Sequence, residues 1–108
     1  MNELSTDDLQ MISFQIIMNS GDGRSDIHEA FALMREGDFD ESEAKLKEAN
    51  DKIIKAHNSQ TDLLHGLANG QQMNIDVLLI HAQDHLMTTM TLREVATEML
   101  FLHRKIND

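Results

Sequence analysis

Nothing in this chain forbids a long helix. No proline occurs among its 108 residues, and its five glycines fall in three short runs, "SGDG", "EGD" and "HGLANG". A proline inside a helix costs about 3 kcal/mol, so its absence leaves hydrophobic periodicity free to set the length of each element. Leu9, Ile12, Ile16, Ile27, Phe31 and Met34 keep one helical phase straight through "SGDGRS". Residues 5–35 therefore read as one helix or two nearly collinear ones. Ser5 is the expected cap and Asp8 completes a capping box. Gly21 and Gly23 each weaken that helix by about 1 kcal/mol relative to alanine and mark a possible kink.

The run "EGDFDESE" ends the first segment and opens the second, with Asp40 as the expected cap and Glu43 three residues on. Leu46, Ala49, Ile53, His57, Leu64 and Leu67 follow at steps of three and four. Acidic residues crowd the start of this segment and Lys45, Lys47, Lys52 and Lys55 come after, a favourable order for the helix dipole and for charge pairs on an outer face. "GLANGQQ" is the second turn, and a third helix is expected from Asn74 to Ile106. Three long helices with short turns predict an all-α, antiparallel, up-down-up three-helix bundle forming one domain over residues 1–108.

Composition narrows the function classes. Nineteen acidic against nine basic side chains give a formal charge of −10, which disfavours nucleic acid and anionic lipid as partners. With no cysteine there is no disulfide framework, thiolate zinc site or cysteine nucleophile. "MNELSTDDLQ" has neither the basic nor the apolar region of a secretory signal, and no apolar run approaches a membrane span. A soluble cytoplasmic protein is expected. The methionines read as core filler.

The third segment carries the informative anomaly. With His81 as zero and about 100° per residue, Val77, Leu78, Leu92, Val95, Met99 and Leu102 fall within about 60° of it. Asp84, His85 and Thr88 share that sector, while Ile75, Leu79, Ala82, Leu86 and Leu100 form a second apolar sector about 100–160° away. One helix of a three-helix monomer needs a single stripe to reach the core, so two stripes predict a homo-oligomer. A lone histidine on such a face is ordinarily a satisfied structural residue. Four polar groups at i, i+3, i+4 and i+7 are harder to dismiss, because each needs a partner and an unpaired buried carboxylate is costly. His81, Asp84 and His85 could chelate a metal, although "HAQDH" lacks the glutamate that makes HExxH a zinc-hydrolase signature. Alternatively, a neutral imidazole could be a nucleophile that carries a group covalently. Spacing leaves both open.

The block "HAQDHLMT", together with "NSGDGRS", "GDF" and "AHNSQTDLL" in the same order, resembles the lactose/cellobiose-type enzyme IIA of the phosphoenolpyruvate-dependent sugar phosphotransferase system. The resemblance spans essentially the whole chain. It implies a three-helix bundle assembled as a homotrimer, in agreement with the two apolar faces. It further implies that His81 is phosphorylated on Nε2 by the phosphocarrier protein HPr and passes the group to a cysteine of the cognate IIB component. IIB then phosphorylates a β-linked disaccharide admitted by the membrane component IIC. Asp84 matches the family's metal-site residue, where three carboxylates on a trimer axis would share one structural Mg²⁺.

Under this resemblance His85 and Thr88 are the expected donors to the phosphoryl oxygens, with a structural role between subunits equally open to His85. His57, Gln60 and Thr61 match a family motif on the second helix. They either line the His81 pocket or bond helix to helix. Gln83 lies about 160° from His81 and points elsewhere. Arg24 reads as a phosphate ligand or a helix-end residue, the structural use being favoured. His28, His65 and His103 read as surface residues. The family often has alanine where Gly23 stands, and Ala82 within "HAQDH" leans toward the cellobiose/chitobiose branch. A metal-stabilised helical adaptor without covalent chemistry, serving a basic partner, is the competing expectation.

Overall fold

The computed structural model describes residues 4–107, and three helices account for most of them: α1 (Thr6–Glu36), α2 (Phe39–Ala68) and α3 (Val77–Ile106). They form a rod 58 × 20 × 18 Å, and no strand occurs among the described residues. α1 is a single continuous helix through both glycines, opened by Ser5, whose side chain accepts from the Asp8 amide at 3.0 Å.

Gly37 closes α1 in the left-handed region at φ 83°. There the Gly37 amide donates to the Met34 carbonyl and the Asp38 amide to the Leu33 carbonyl. Glycine tolerates this conformation without the Cβ penalty, so the chain reverses within two residues. The expected cap at Asp40 is therefore corrected: Asp38 holds the cap position, and Asp40 lies in the first turn of α2. α3 also begins later than expected, at Val77. The Asp76 side chain accepts from the Leu79 amide at 2.9 Å and fixes the start there. Ile75, expected in the second apolar sector of the helix, consequently lies outside it and is 61% exposed.

α1 and α3 run parallel, with α2 antiparallel between them in sequence. The Leu4 amide donates to the Gln72 carbonyl beside the start of α3, and Arg104 near the end of α3 pairs with Asp40 and Glu43 at the start of α2. Leu9, Ile16, Ile27 and Met34 of α1 pack on Leu46, Ile53 and Leu63 of α2 and on Leu79, Leu86 and Leu100 of α3. On α2 the buried track takes Ala56, Gln60 and Leu63, leaving His57, Leu64 and Leu67 exposed. Steps of three and four permit either branch at each turn, so periodicity alone selected the wrong one there.

α1 and α2 approach closely at Gly23, where an added Cβ would sit 3.2 Å from Ile53 Cγ1 and 3.3 Å from the Ala49 carbonyl oxygen. Near it, Ser42 donates to the Ala30 carbonyl at 2.9 Å, and Lys52 reaches the buried Asp26 carboxylate at 2.7 Å. That bond raises the Lys52 pKa, against the opposing effect of its desolvation. Of the methionines expected as core filler, Met34 is buried, whereas Met11, Met18 and Met87 are at least half exposed. His28 and His65 are on the surface as expected, but His103 is half-buried with its ring 6.0 Å from that of Phe39.

Candidate functional site

The two stripes of α3 have different fates in the chain. Leu79, Ala82, Leu86, Ala96 and Leu100 face the core, whereas Val77, Val95, Met99, Leu102 and Ile106 are exposed on the face that also holds His81. His81, Asp84 and Thr88 are exposed and His85 is half-buried, so the polar patch lies on an open apolar face. Each of these side chains is mounted within the first twelve residues of a thirty-residue helix, which holds the group more rigidly than a loop would.

The His81 and His85 rings meet edge-on, with centroids 6.0 Å apart and planes at 88°. On one flank α1 contributes Arg24, whose Nη2 donates to Thr88 Oγ1 at 2.5 Å and whose Nε donates to Thr89 Oγ1 at 3.1 Å. Thr89 is fully buried, and its Oγ1 lies 3.5 Å from His85 Nδ1. Burial first, then the Arg24 charge, pulls the His85 imidazole below its usual pKa; the neighbouring His81 acts in the same direction, while its backbone hydrogen bond and Asp84 oppose them.

Thr88 has one hydroxyl hydrogen, and that hydrogen already donates to the Asp84 carbonyl at 2.8 Å. The expectation that Thr88 donates to a phosphoryl group is therefore not met in this arrangement; its free lone pair instead holds Arg24. The sequence reading left Arg24 as a phosphate ligand or a helix-end residue, favouring the structural use, and passed over Thr89; the structure shows Arg24 bonding across to α3 and not capping a helix end. Only the paired threonines "TT", at the border between the two sectors, hinted at a contact there.

On the opposite flank, Gln60 of α2 donates to Gln83 and its Nε2 lies 3.8 Å from the Met87 sulfur. Gln83 projects away from His81, so within one chain Gln60 bonds helix to helix and is not brought to the His81 ring. His57 is exposed on α2, with Nδ1 3.5 Å from Thr61 Oγ1, and is likewise not joined to the patch in one chain. Asp84 forms no ion pair among the described residues, and no group of three or more potential metal-ligating side chains occurs among them. Its carboxylate projects from the exposed face, where copies on other chains could reach it, so it fits a shared cation and not one held by a single chain.

No helix among the described residues is long and apolar enough to cross a membrane. Two cavities lie elsewhere: one of about 290 Å³ is lined by Ile12, Ser59, Asp62 and Gln71, and one of about 460 Å³ by Phe39, Phe101 and Arg104. His81 lines neither. A reactive group placed on an open helix face suits a macromolecular reaction partner better than an enclosed small substrate.

The family described as the lactose/cellobiose-specific IIA subunit of the phosphotransferase system matches residues 11–104. The chain is 40% identical over 102 residues to the lichenan-specific phosphotransferase enzyme IIA component of Bacillus subtilis, covering 94% of this chain and 93% of that protein. It superposes on the crystal structure of PtcA from S. mutans with a TM-score of 0.92 at 55% identity, over 94% of this chain and 99% of the other. A IIA(Chitobiose) chain from a solution structure of its complex with HPr, from the Escherichia coli phosphotransferase system, aligns with a TM-score of 0.76 at 34% identity, over 93% and 97% of the two chains. With the match running nearly end to end, this chain belongs to the lactose/cellobiose-specific IIA components of the sugar phosphotransferase system.

Proposed function

We propose that this chain is a cytoplasmic phosphoryl carrier that accepts phosphate from HPr on His81 Nε2 and donates it to the cysteine of its cognate IIB component. The observation that carries the reading is the exposure of the His81 imidazole on the outer face of α3, within the "HAQDH" block of a family member. The solved complex of a related IIA chain with HPr supports HPr as the donor. Residues 1–108 act as one IIA domain, and the transported sugar is a β-linked disaccharide of the cellobiose/chitobiose or lactose type.

In the transfer, the Nε2 lone pair of neutral His81 forms an N–P bond as the N–P bond of the donor histidine breaks and its electron pair returns to the donor imidazole. The same sequence runs onward to the IIB thiolate. Such transfers depend chiefly on positioning and charge stabilisation. The helix mount fixes the ring, His85 packs against its edge, and Arg24 supplies positive charge on the flank.

The exposed stripe of Val77, Val95, Met99, Leu102 and Ile106 supports self-association through α3 as a homotrimer. Asp84 lies on the same stripe, and three copies on an axis would hold one Mg²⁺, which supplies neutralisation of their mutual repulsion. The Asp84→Asn variant is expected to weaken the trimer in sedimentation while its helical circular dichroism is unchanged; a metal-free trimer unaffected by chelator refutes the cation's role. His57 and Gln60 serve this site only if a neighbouring subunit brings them to it.

Incubation with phosphoenolpyruvate, enzyme I and HPr tests the carrier reading. Intact mass is expected to rise by one acid-labile phosphate in the wild type and not in the His81→Gln variant. No phosphate gain with active upstream proteins leaves the helical adaptor as the better description.

A further inference from the structure

Four basic side chains are held across helices among the described residues, and one of them is placed differently from the rest. Lys45 ends on Glu29, Lys52 on Asp26, and Arg104 on Asp40 and Glu43. Arg24 instead ends on two neutral hydroxyls, those of Thr88 and Thr89. In a chain of formal charge −10, this guanidinium is fixed by two helices and forms no ion pair among the described residues. The hydroxyls orient it without neutralising it.

We propose that Arg24 is a positioning residue for phosphoryl transfer: a pre-set cation that stabilises the phosphorylated form of His81. The proposal rests on His81 being the phosphorylated residue. Phosphorylation turns a neutral imidazole into a group carrying close to two negative charges, one turn from Asp84, where three carboxylates of the proposed trimer would keep a net negative charge even around one Mg²⁺. That repulsion opposes acceptance of phosphate, and no charge on α3 beside the patch offsets it. Arg24 does so from α1. Seven residues separate His81 from Thr88, so the charge sits about 10 Å along the axis from the phosphoryl group. It acts through space at that range, and a cation there favours the phosphorylated form by about four- to fifteenfold for a dielectric between water and the protein surface. The Arg24–Thr88 bond also fixes the turn of α3 that follows His85.

The test is the equilibrium between phospho-HPr and this chain, read by intact mass after mixing purified proteins. At about 0.05 M salt, where a Debye length of about 14 Å roughly halves the interaction, Arg24→Gln is expected to shift the equilibrium toward phospho-HPr by about two- to fourfold. Arg24→Lys keeps the charge and is expected to hold the wild-type equilibrium. The gap between wild type and Arg24→Gln should shrink as salt rises to about 0.5 M, because screening shortens the reach of the charge below 10 Å. A structural role alone would not be rescued by lysine or erased by salt. A folded Arg24→Gln protein with the wild-type equilibrium overturns the proposal, as does a gap indifferent to salt. If Arg24→Gln fails to fold, Arg24→Met decides: it keeps the aliphatic stem without the charge, and an unchanged equilibrium and salt dependence overturn the proposal. Failure of wild type to take phosphate at residue 81 refutes the carrier reading itself, an outcome distinct from either of these.

Discussion

Two glycines in one helix, two residues apart, are expected to respond to alanine with opposite sign. Within a helix interior, glycine to alanine gains about 1 kcal/mol from backbone entropy. At Gly21 the new methyl meets nothing within 4 Å, so the whole gain should appear. At Gly23 the same methyl would lie 3.2 Å from Ile53 Cγ1 and 3.3 Å from the Ala49 carbonyl oxygen. The comfortable carbon–carbon separation is about 3.5–4.0 Å, so α1 and α2 must part by a few tenths of an ångström. Ile53 can adjust its side chain, but the carbonyl is part of the α2 backbone. Overpacking of this kind costs about 1–3 kcal/mol, which cancels or exceeds the entropic gain. Thermal melts followed by circular dichroism at one fixed protein concentration, a condition any self-association requires, should therefore separate the variants. Gly21→Ala is expected to raise the midpoint by about 4–8 °C, while Gly23→Ala leaves it unchanged or lowers it. Equal stabilisation by both substitutions would refute the close-approach argument and show that the helices part freely at residue 23.

Other outcomes follow from the same packing and charge arguments. Lys52→Met is expected to cost about 1–3 kcal/mol by urea denaturation, since it strands the buried Asp26 carboxylate, and adding Asp26→Asn should recover part of the loss. The Asp26 bond raises the Lys52 pKa, so the contribution of this pair is full below the unfolded lysine value near about 10.4 and fades as pH climbs through the higher folded value; stability curves of wild type and Lys52→Met should converge at strongly alkaline pH. Leu86→Ala, at a position with no exposure, is expected to lose about 2–5 kcal/mol in the same assay. Arg104→Ala should cost under about 1 kcal/mol because its Asp40 partner is fully solvated.

The residues differ in how much of this they disclosed beforehand. Helix number and order were legible because proline is absent and long apolar phases persist between glycine runs. The start of α3 was not, since Ile75 fits the periodicity as well as Leu79 does, and only the Asp76 side chain, folding back on the Leu79 amide, decides between them. On α2 the choice between Leu63 and Leu64 depends on where α1 and α3 lie, which is tertiary information. At the site, His81 and Asp84 stood out through a local motif. Arg24 did not, because its partners are 64 and 65 residues away and spacing along one helix cannot report a contact between two.

Exposure of the His81 face also bears on why the chain is built as a rod and not around a pocket. A carrier in the proposed cycle meets two protein surfaces in turn, one presenting a phosphohistidine and one a thiolate. An enclosed site would have to open for both. An imidazole on the outside of α3 avoids that requirement, but water then reaches it until a partner docks. The exposed apolar side chains on the same face of α3, Val77 one turn away and Val95 farther along, can exclude water only when another surface covers them. The exposure that would be a liability in an isolated chain thus becomes useful on assembly: neighbouring copies covering the stripe in the proposed trimer dry one flank of the site, and a docking carrier completes the exclusion of water and strengthens every charge interaction there, including that of a guanidinium already fixed at Thr88.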